Sequence, residues 1–510
     1  MMSFQIHRPK GYKKGGDRYL PEIVKELKRV LKKAQSSFAY DALYLRDRQI
    51  GELAGVLVEF AEDIHNDIGI WKSYEQYNRE LFHTSLPITV RPGVELEEKE
   101  LFKRRIHHLT WVWYSVLWSG FIFEPEHKDL ILLTGMAADF LEERFAKIPL
   151  GSGIKEFLSQ PNEYGWDAKR KLVWLGQHSY LFRDSFQNYA LEEYAGKVNI
   201  SIIDDFICQE NTCWSGLGVI DILAATLDIT EKQRSQVRSW YERHMAYYRV
   251  LAVKGPLIEV INLINDKLYT VMVGEPNPFK VQQGIFGSLI PWDNEWYWSG
   301  EQKIFPELPE SIIQDAKDQF FRELSAVAYR YCEDRAQKAR EKVSVYYRRF
   351  VECNGDDLVI YPDGASMSAD MKKKYPLIYK PDVPSRELEK MKIPEISLPP
   401  EITQSRNGIG VYFNPDEGEE IMLGFNDVVS GLEKKGIDLN EYEEESITGF
   451  IRSDSISPGF VKKLVEKYGD ESIAAVFFID RLQHTYYLDY LLHRYKGHFY
   501  RKRYPGISFS

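Results

Sequence analysis

A block of alternation near the middle of this 510-residue chain constrains its fold more than any other feature. From Tyr247 to Phe305 the sequence reads YYRVLAV, KGP, LIEVINLI, NDK, LYTVMV, a Pro-rich turn, GIFGSLIPW, DNE and WYWSG. Short alternating runs punctuated by Gly, Pro, Asn and Asp predict four or five short strands joined by tight turns. A unit of this size is too small for an enzyme core but large enough for a binding or docking module.

Both flanks run at helical period. A helix is predicted from Pro21, with Ile23, Leu27, Val30, Leu31 and Ala34 on one face and Lys25, Lys28, Arg29, Lys32 and Lys33 largely on the other. Its basic face reads first as solvated surface, second as a dock for acid or phosphate. Further helices are expected over 47–82, 96–119, 127–147, 166–195, 220–227 and 231–245, the last capped by Thr230. NISIIDDFIC (199–208) reads as a strand or as the start of a helix. Helix returns over 309–346, followed by a short strand at 357–362, a turn at Asp363-Gly364 and a short helix capped by Ser366 or Ser368. Residues 376–404 carry Pro376, Pro381, Pro384, Pro394, Pro399 and Pro400, which disfavour long helix and mark a linker. A separate unit, 405–510, opens with the extended piece IGVYF and continues as helix, including one from Ser457-Pro458 to Tyr468-Gly469. The expected organisation is a helical N-terminal domain (1–245), a small β module (246–305), a helical segment with a short strand (306–375), the linker (376–404) and a helical C-terminal domain (405–510). The fold class is mainly α with an inserted small β barrel or sheet, α+β overall.

The net charge of −10 argues against one uniformly basic nucleic-acid-binding body. Charge is unevenly placed, however. Residues 1–50 hold 12 Lys+Arg against 5 Asp+Glu, residues 401–450 hold 12 Asp+Glu against 3 Lys+Arg, and the last 20 hold five basic residues and no acidic one. Such asymmetry steers partners or docks one part of the molecule on another. Four cysteines without disulfide spacing fit a reducing cytosol, and the N-terminus lacks the apolar region of a signal peptide. The longest apolar run, Leu109 to Phe123, is too short to span a membrane, so no membrane partner is expected.

Few residues form a recognisable catalytic pattern. Trp-Ser-Gly occurs at 118–120, 214–216 and 298–300, and reads as a bulky anchor followed by two residues that turn sharply. None fits the nucleophile elbow. Gly216 and Gly218 resemble a dinucleotide turn, but Asp221 stands at the third glycine position. Cys208 and Cys213 lack a second Cys/His pair, and His107 and His108 point to different helix faces. Asp204, Asp205 and Glu210, with Asp221 nearby, form the densest acidic cluster. Paired carboxylates hold Mg²⁺ for phosphoryl chemistry when they converge, whereas caps and surface charge explain them otherwise. No cofactor and no resident metal is expected.

Two segments suit contact instead. Trp292, Trp296, Tyr297 and Trp298 close the β block, with Trp296 and Trp298 on one strand face and Tyr297 on the other. One face fills the module or packs on helices; the other is free to stack on a base or a peptide side chain. At the C-terminus, Arg494, Tyr495, Lys496, Tyr500, Arg501, Lys502 and Arg503 interleave cations with rings, a pattern suited to phosphates and unpaired bases. The competing reading packs the rings inward and turns the cations toward the acidic 401–450 stretch.

The pattern from YYRVLAV to WYWSG resembles a β unit that recurs in uncharacterised bacterial proteins, some with a SecA-type Cys-rich metal tail that this chain lacks. The resemblance covers the β block alone. It implies a bacterial source and no activity. Together these features lead us to expect a cytoplasmic, non-enzymatic binding or scaffold protein that contacts nucleic acid or a protein partner. The alternative is a metal-dependent hydrolase or nuclease using Asp204, Asp205 and Glu210.

Overall fold

The computed structural model of the protein describes residues 7–12, 14–39, 43–323, 325–380 and 399–506. Among the described residues the chain is mainly helical, with one closed five-stranded barrel and one three-stranded sheet. It divides into two compact units. The first takes residues 1–260, 268–306 and 477–490; the second takes 261–267, 307–476 and 491–510.

In the first unit, the helix Leu20–Gln35 buries Leu20, Ile23, Leu27, Leu31 and Ala34. Its basic face is surface, and Lys28 and Lys32 both pair with Asp47. The predicted helix 47–82 is two helices, Asp47–Asn66 and Ile70–Phe82. The break comes at Asp67 (φ 50°) and Gly69 (φ 105°). Buried Asp63 stabilises it by accepting from the Gly69 and Trp71 amides at 2.9 and 2.7 Å. The predicted helix 166–195 likewise splits into Gly165–His178 and Arg183–Tyr194. The apolar run from Leu109 forms the buried end of the helix Glu98–Leu117. Among the described residues no helix is long and apolar enough to cross a membrane. Segment 199–208 resolves as the helix Ile200–Gln209, whose N-cap Asn199 accepts from the Ile202 amide at 2.9 Å.

The β block closes into a barrel. Its strands are β1 (Met245–Lys254), β2 (Leu257–Asn262), β3 (Leu268–Met272), β4 (Gly284–Trp292) and β5 (Glu295–Phe305), in the order β1-β2-β3-β5-β4. Closure removes the exposed edges that a small open sheet would leave. The β1–β4 and β4–β5 pairs are antiparallel, and a short parallel β3–β5 pair (Val271↔Trp296, Met272↔Tyr297) completes the circuit. Ala246, Tyr248 and Val250 of β1 are buried in alternation, as are Ile258 and Val260 of β2 and Tyr269 and Val271 of β3.

In the second unit, β6 (Leu358–Tyr361), β7 (Ile409–Asn414) and β8 (Gly418–Leu423) form an antiparallel sheet in that order. β6 precedes the Pro-rich stretch and β7 follows it, so the sheet draws strands from both sides of the expected linker. A lone four-residue strand leaves its backbone groups unpaired, and β7 supplies the partner. Val343, Phe350 and Met367 pack with Ile409, Val411 and Phe413 in one core. The helix Gly364–Tyr379 is capped by Asp363, which accepts from the Ser366 amide at 2.7 Å, rather than by Ser366 or Ser368. It runs through Pro376, so the extended stretch starts later than expected. Residues 381–398 of that stretch, and residues 1–6 and 13 of the basic N-terminal segment, lie outside the described residues.

Candidate functional site

The acidic cluster is an electrostatic joint between helix and barrel. Asp204 lies on the inner face of the helix Ile200–Gln209 and is 2% exposed. It forms an ion pair with Lys169, a second with Arg243 at 2.5 Å, and accepts from the Ser299 hydroxyl at 2.8 Å. Asp205 takes another Arg243 nitrogen at 2.8 Å. Burial alone would raise the Asp204 carboxyl; the Lys169 and Arg243 charges outweigh it and hold the group below the usual carboxylate value. Glu210 stands beyond the last turn of that helix, and Asp221 caps the helix Val219–Thr226 through the Gly218 amide. Asp204 and Asp205 are thus both engaged with Arg243, and Asp204 with Lys169 as well. Among the described residues no three His, Cys, Asp or Glu side chains are grouped to hold a metal ion.

The third Trp-Ser-Gly belongs to this joint. Ser299 donates to Asp204, and Gly300 has φ 75° where β4 and β5 shift register. A Cβ on Gly300 would meet an Asp204 oxygen at 2.8 Å, so only glycine lets the carboxylate approach. The second, at 214–216, also turns sharply, with Ser215 at φ 52° and its hydroxyl donating to Asn78 at 2.7 Å in the core.

The barrel tryptophans pack against other rings. Trp292 is 1% exposed and lies against Trp240, ring centroids 6.2 Å apart. Trp296 meets Tyr269 edge-on at 4.7 Å, and Trp298 meets Tyr248 edge-on at 5.4 Å. A narrow barrel must fill its interior with large rings, and Trp296 and Trp298 supply two of them, whereas Trp292 lies on the strand face of Tyr297 and packs outside the barrel. Tyr297, on the opposite strand face, is buried against the helix Gly165–His178. Gly165 makes that approach possible: a Cβ there would strike the Tyr297 ring at 2.7 Å.

Between that helix and the barrel lies a groove of about 280 Å³, lined by Gly165, Trp166, Lys169, Arg170, Val173, Ile290, Tyr297 and Trp298. Positions 165, 166, 169, 170 and 173 share one helix face. Trp166 is 44% exposed, stacked on Tyr164 at 4.7 Å and edge-on to Tyr297 at 5.3 Å. Arg170 is exposed beside it, its guanidinium 5.7 Å from the Phe157 ring. Lys169 reaches inward to Asp204 and donates to the Cys208 sulfur at 3.2 Å. An exposed aromatic stack with adjacent cations is thus present, but on residues that the sequence reading passed over. The available signal was Tyr164-Gly165-Trp166, two rings around a glycine, followed one helical turn on by Lys169-Arg170.

The basic C-terminal segment is largely engaged within its own unit. Arg494 and Lys496 are buried, and Lys496 donates to the Ser453 carbonyl at 2.5 Å. Arg503 makes two bonds to Glu417, at 2.9 and 2.7 Å, and Lys502 reaches Glu333 at 3.0 Å. The Arg452 guanidinium lies 5.5 Å from the Tyr495 ring. Tyr500 stacks on His493 at 3.6 Å, and Arg501 is half-buried. Of these cations Arg503 meets the acidic 401–450 stretch, at Glu417, while Tyr500 stays exposed.

Residues 5–211 match the model of a family described as Protein of unknown function (DUF3843). The match agrees with a resemblance to proteins of no known activity, but it falls on the helical residues before the barrel. It includes Trp166, Lys169, Arg170 and Asp204. No curated protein and no solved structure matches the chain.

Proposed function

We propose that this is a binding protein rather than an enzyme, and that its partner is a single-stranded nucleic acid held at the groove between the helix Gly165–His178 and the barrel. The observation that carries the reading is the exposed Tyr164–Trp166 stack with Arg170 beside it. Unpaired bases stack on such rings, and neighbouring cations take the phosphates. The overall charge of −10 makes this contact local and weak at high salt. No described cysteine is in a disulfide, which with the bacterial resemblance leads us to place the protein in a bacterial cytosol.

Fluorescence anisotropy tests the reading, with labelled DNA and RNA strands of about 12 nucleotides, within the usual site size of such surfaces. Binding at low salt is expected. Trp166→Ala should weaken it about 5- to 150-fold, the loss of one base–ring stack. Absence of binding for both strands, or equal binding by Trp166→Ala, would overturn it.

A further inference from the structure

We propose that the groove is a pocket for one planar ring carrying one anionic group, the chemistry of a nucleoside monophosphate. The inference rests on the nucleic-acid reading and narrows it, from a surface that tracks a strand to a pocket that seats one nucleotide.

Three observations support it. The first is size. A volume of about 280 Å³ lies just under the ~300–1,000 Å³ of typical small-molecule pockets, room for one ring system rather than a run of stacked bases. The second is the division of the lining. Val173, Ile290 and Tyr297 give one apolar side, Trp166 gives an exposed ring, and Lys169 and Arg170 give two cations on the same helix face. Tyr164 and Tyr297 brace the Trp166 ring, yet 44% of that residue stays exposed. The third is the charge beneath. Asp204 is held by Arg243 and Ser299 as well as by Lys169. If Lys169 turns to an incoming anion, Asp204 keeps two partners and is not left as an uncompensated buried charge. Two acids near the groove, Asp167 and Glu295, are held in place, accepting from the Tyr164 amide at 3.0 Å and from the Tyr297 hydroxyl at 3.2 Å.

The test is calorimetric titration of the full chain with AMP, UMP, adenosine and inorganic phosphate, alongside the oligonucleotide assay. The monophosphates should bind, adenosine at least about tenfold more weakly, because a charge-assisted contact is lost. Inorganic phosphate alone should not bind measurably. Arg170→Gln, on the surface, should narrow the gap between AMP and adenosine. Val173→Phe should fill the groove and abolish AMP binding, with circular dichroism reporting whether the fold is retained. Oligonucleotide binding without monophosphate binding would overturn the one-nucleotide pocket and leave the nucleic-acid reading standing. Monophosphate binding without oligonucleotide binding would support the pocket and overturn that reading. Equal affinity for AMP and adenosine, or an AMP affinity matched by phosphate alone, would overturn the paired recognition of ring and anion.

Discussion

Asp204 shows how little of a residue's role its sequence neighbours reveal. Its short-range context, DDFICQE, reads as a cluster of acids that repel one another. Its actual partners are Lys169, Arg243 and Ser299, all distant in sequence, and they turn a candidate metal ligand into a charge-balanced joint. Asp204→Asn would leave Lys169 and the doubly bonded Arg243 short of one negative charge in a buried place. Losing one partner of a buried pair costs about 3–5 kcal/mol. Guanidinium denaturation should show a loss of that order; a loss below about 1 kcal/mol would mean that the joint is solvated and contributes little. Trp166 is the converse case. Its sequence neighbours, Tyr164 and Lys169-Arg170, offered a local signal, but its interest arises because Tyr297, far along the chain, supports its ring.

At the scale of elements, ends carried by local chemistry were legible. Thr230 caps its helix by accepting from the Gln233 amide at 3.3 Å, and Ser457 caps Pro458–Tyr468, which ends at Gly469 with φ 91°. Thr230→Ala should cost about 1 kcal/mol, readable as a lower denaturation midpoint. Breaks stabilised from a distance were not legible. The split between Asn66 and Ile70 depends on Asp63, buried and also accepting from the Tyr180 hydroxyl at 2.7 Å. The helix Tyr487–Lys496 offers a pH test. Burial lowers the Lys496 ammonium to about 7, chiefly by desolvation. Between that value and the ordinary lysine range the unfolded chain holds a proton that the folded chain lacks, so stability rises with pH across this window. Below pH 7 both states are protonated and the cost of burying the charge is fully present. Lys496→Met should therefore flatten the rise in melting temperature between pH 7 and pH 10; an unchanged slope would rule out Lys496 as its source.

At the scale of the molecule, chain order and unit membership part company. Residues 477–490 return to the first unit, where Tyr490 meets Phe82 edge-on at 5.6 Å and the Tyr486 hydroxyl oxygen accepts from the Ile88 amide at 2.9 Å. Tyr490 is fully buried. Tyr490→Ala should cost about 3–5 kcal/mol, as for other large aromatic truncations in a core. Hydrogen exchange should find the loss in the helix Ile70–Phe82, some four hundred residues upstream of the substitution. Unchanged protection there would show that the C-terminal return does not stabilise the first unit.

By itself the sequence determined the secondary-structure class of most segments, the place and strand content of the β block and several helix caps. Each rests on interactions between residues a few positions apart: alternation, helical period, and a side chain bonded to an amide one turn away. Tertiary structure alone decided that the β block closes into a barrel, that Trp296 and Trp298 face its interior, that β6 and β7 pair across the Pro-rich stretch and that the C-terminal cations Arg503 and Lys502 meet Glu417 and Glu333. It also decided where an aromatic stack stays exposed. Composition counts rings and charges, but whether a given ring is core or surface depends on the packing of elements from distant parts of the chain, and local periodicity does not encode that packing.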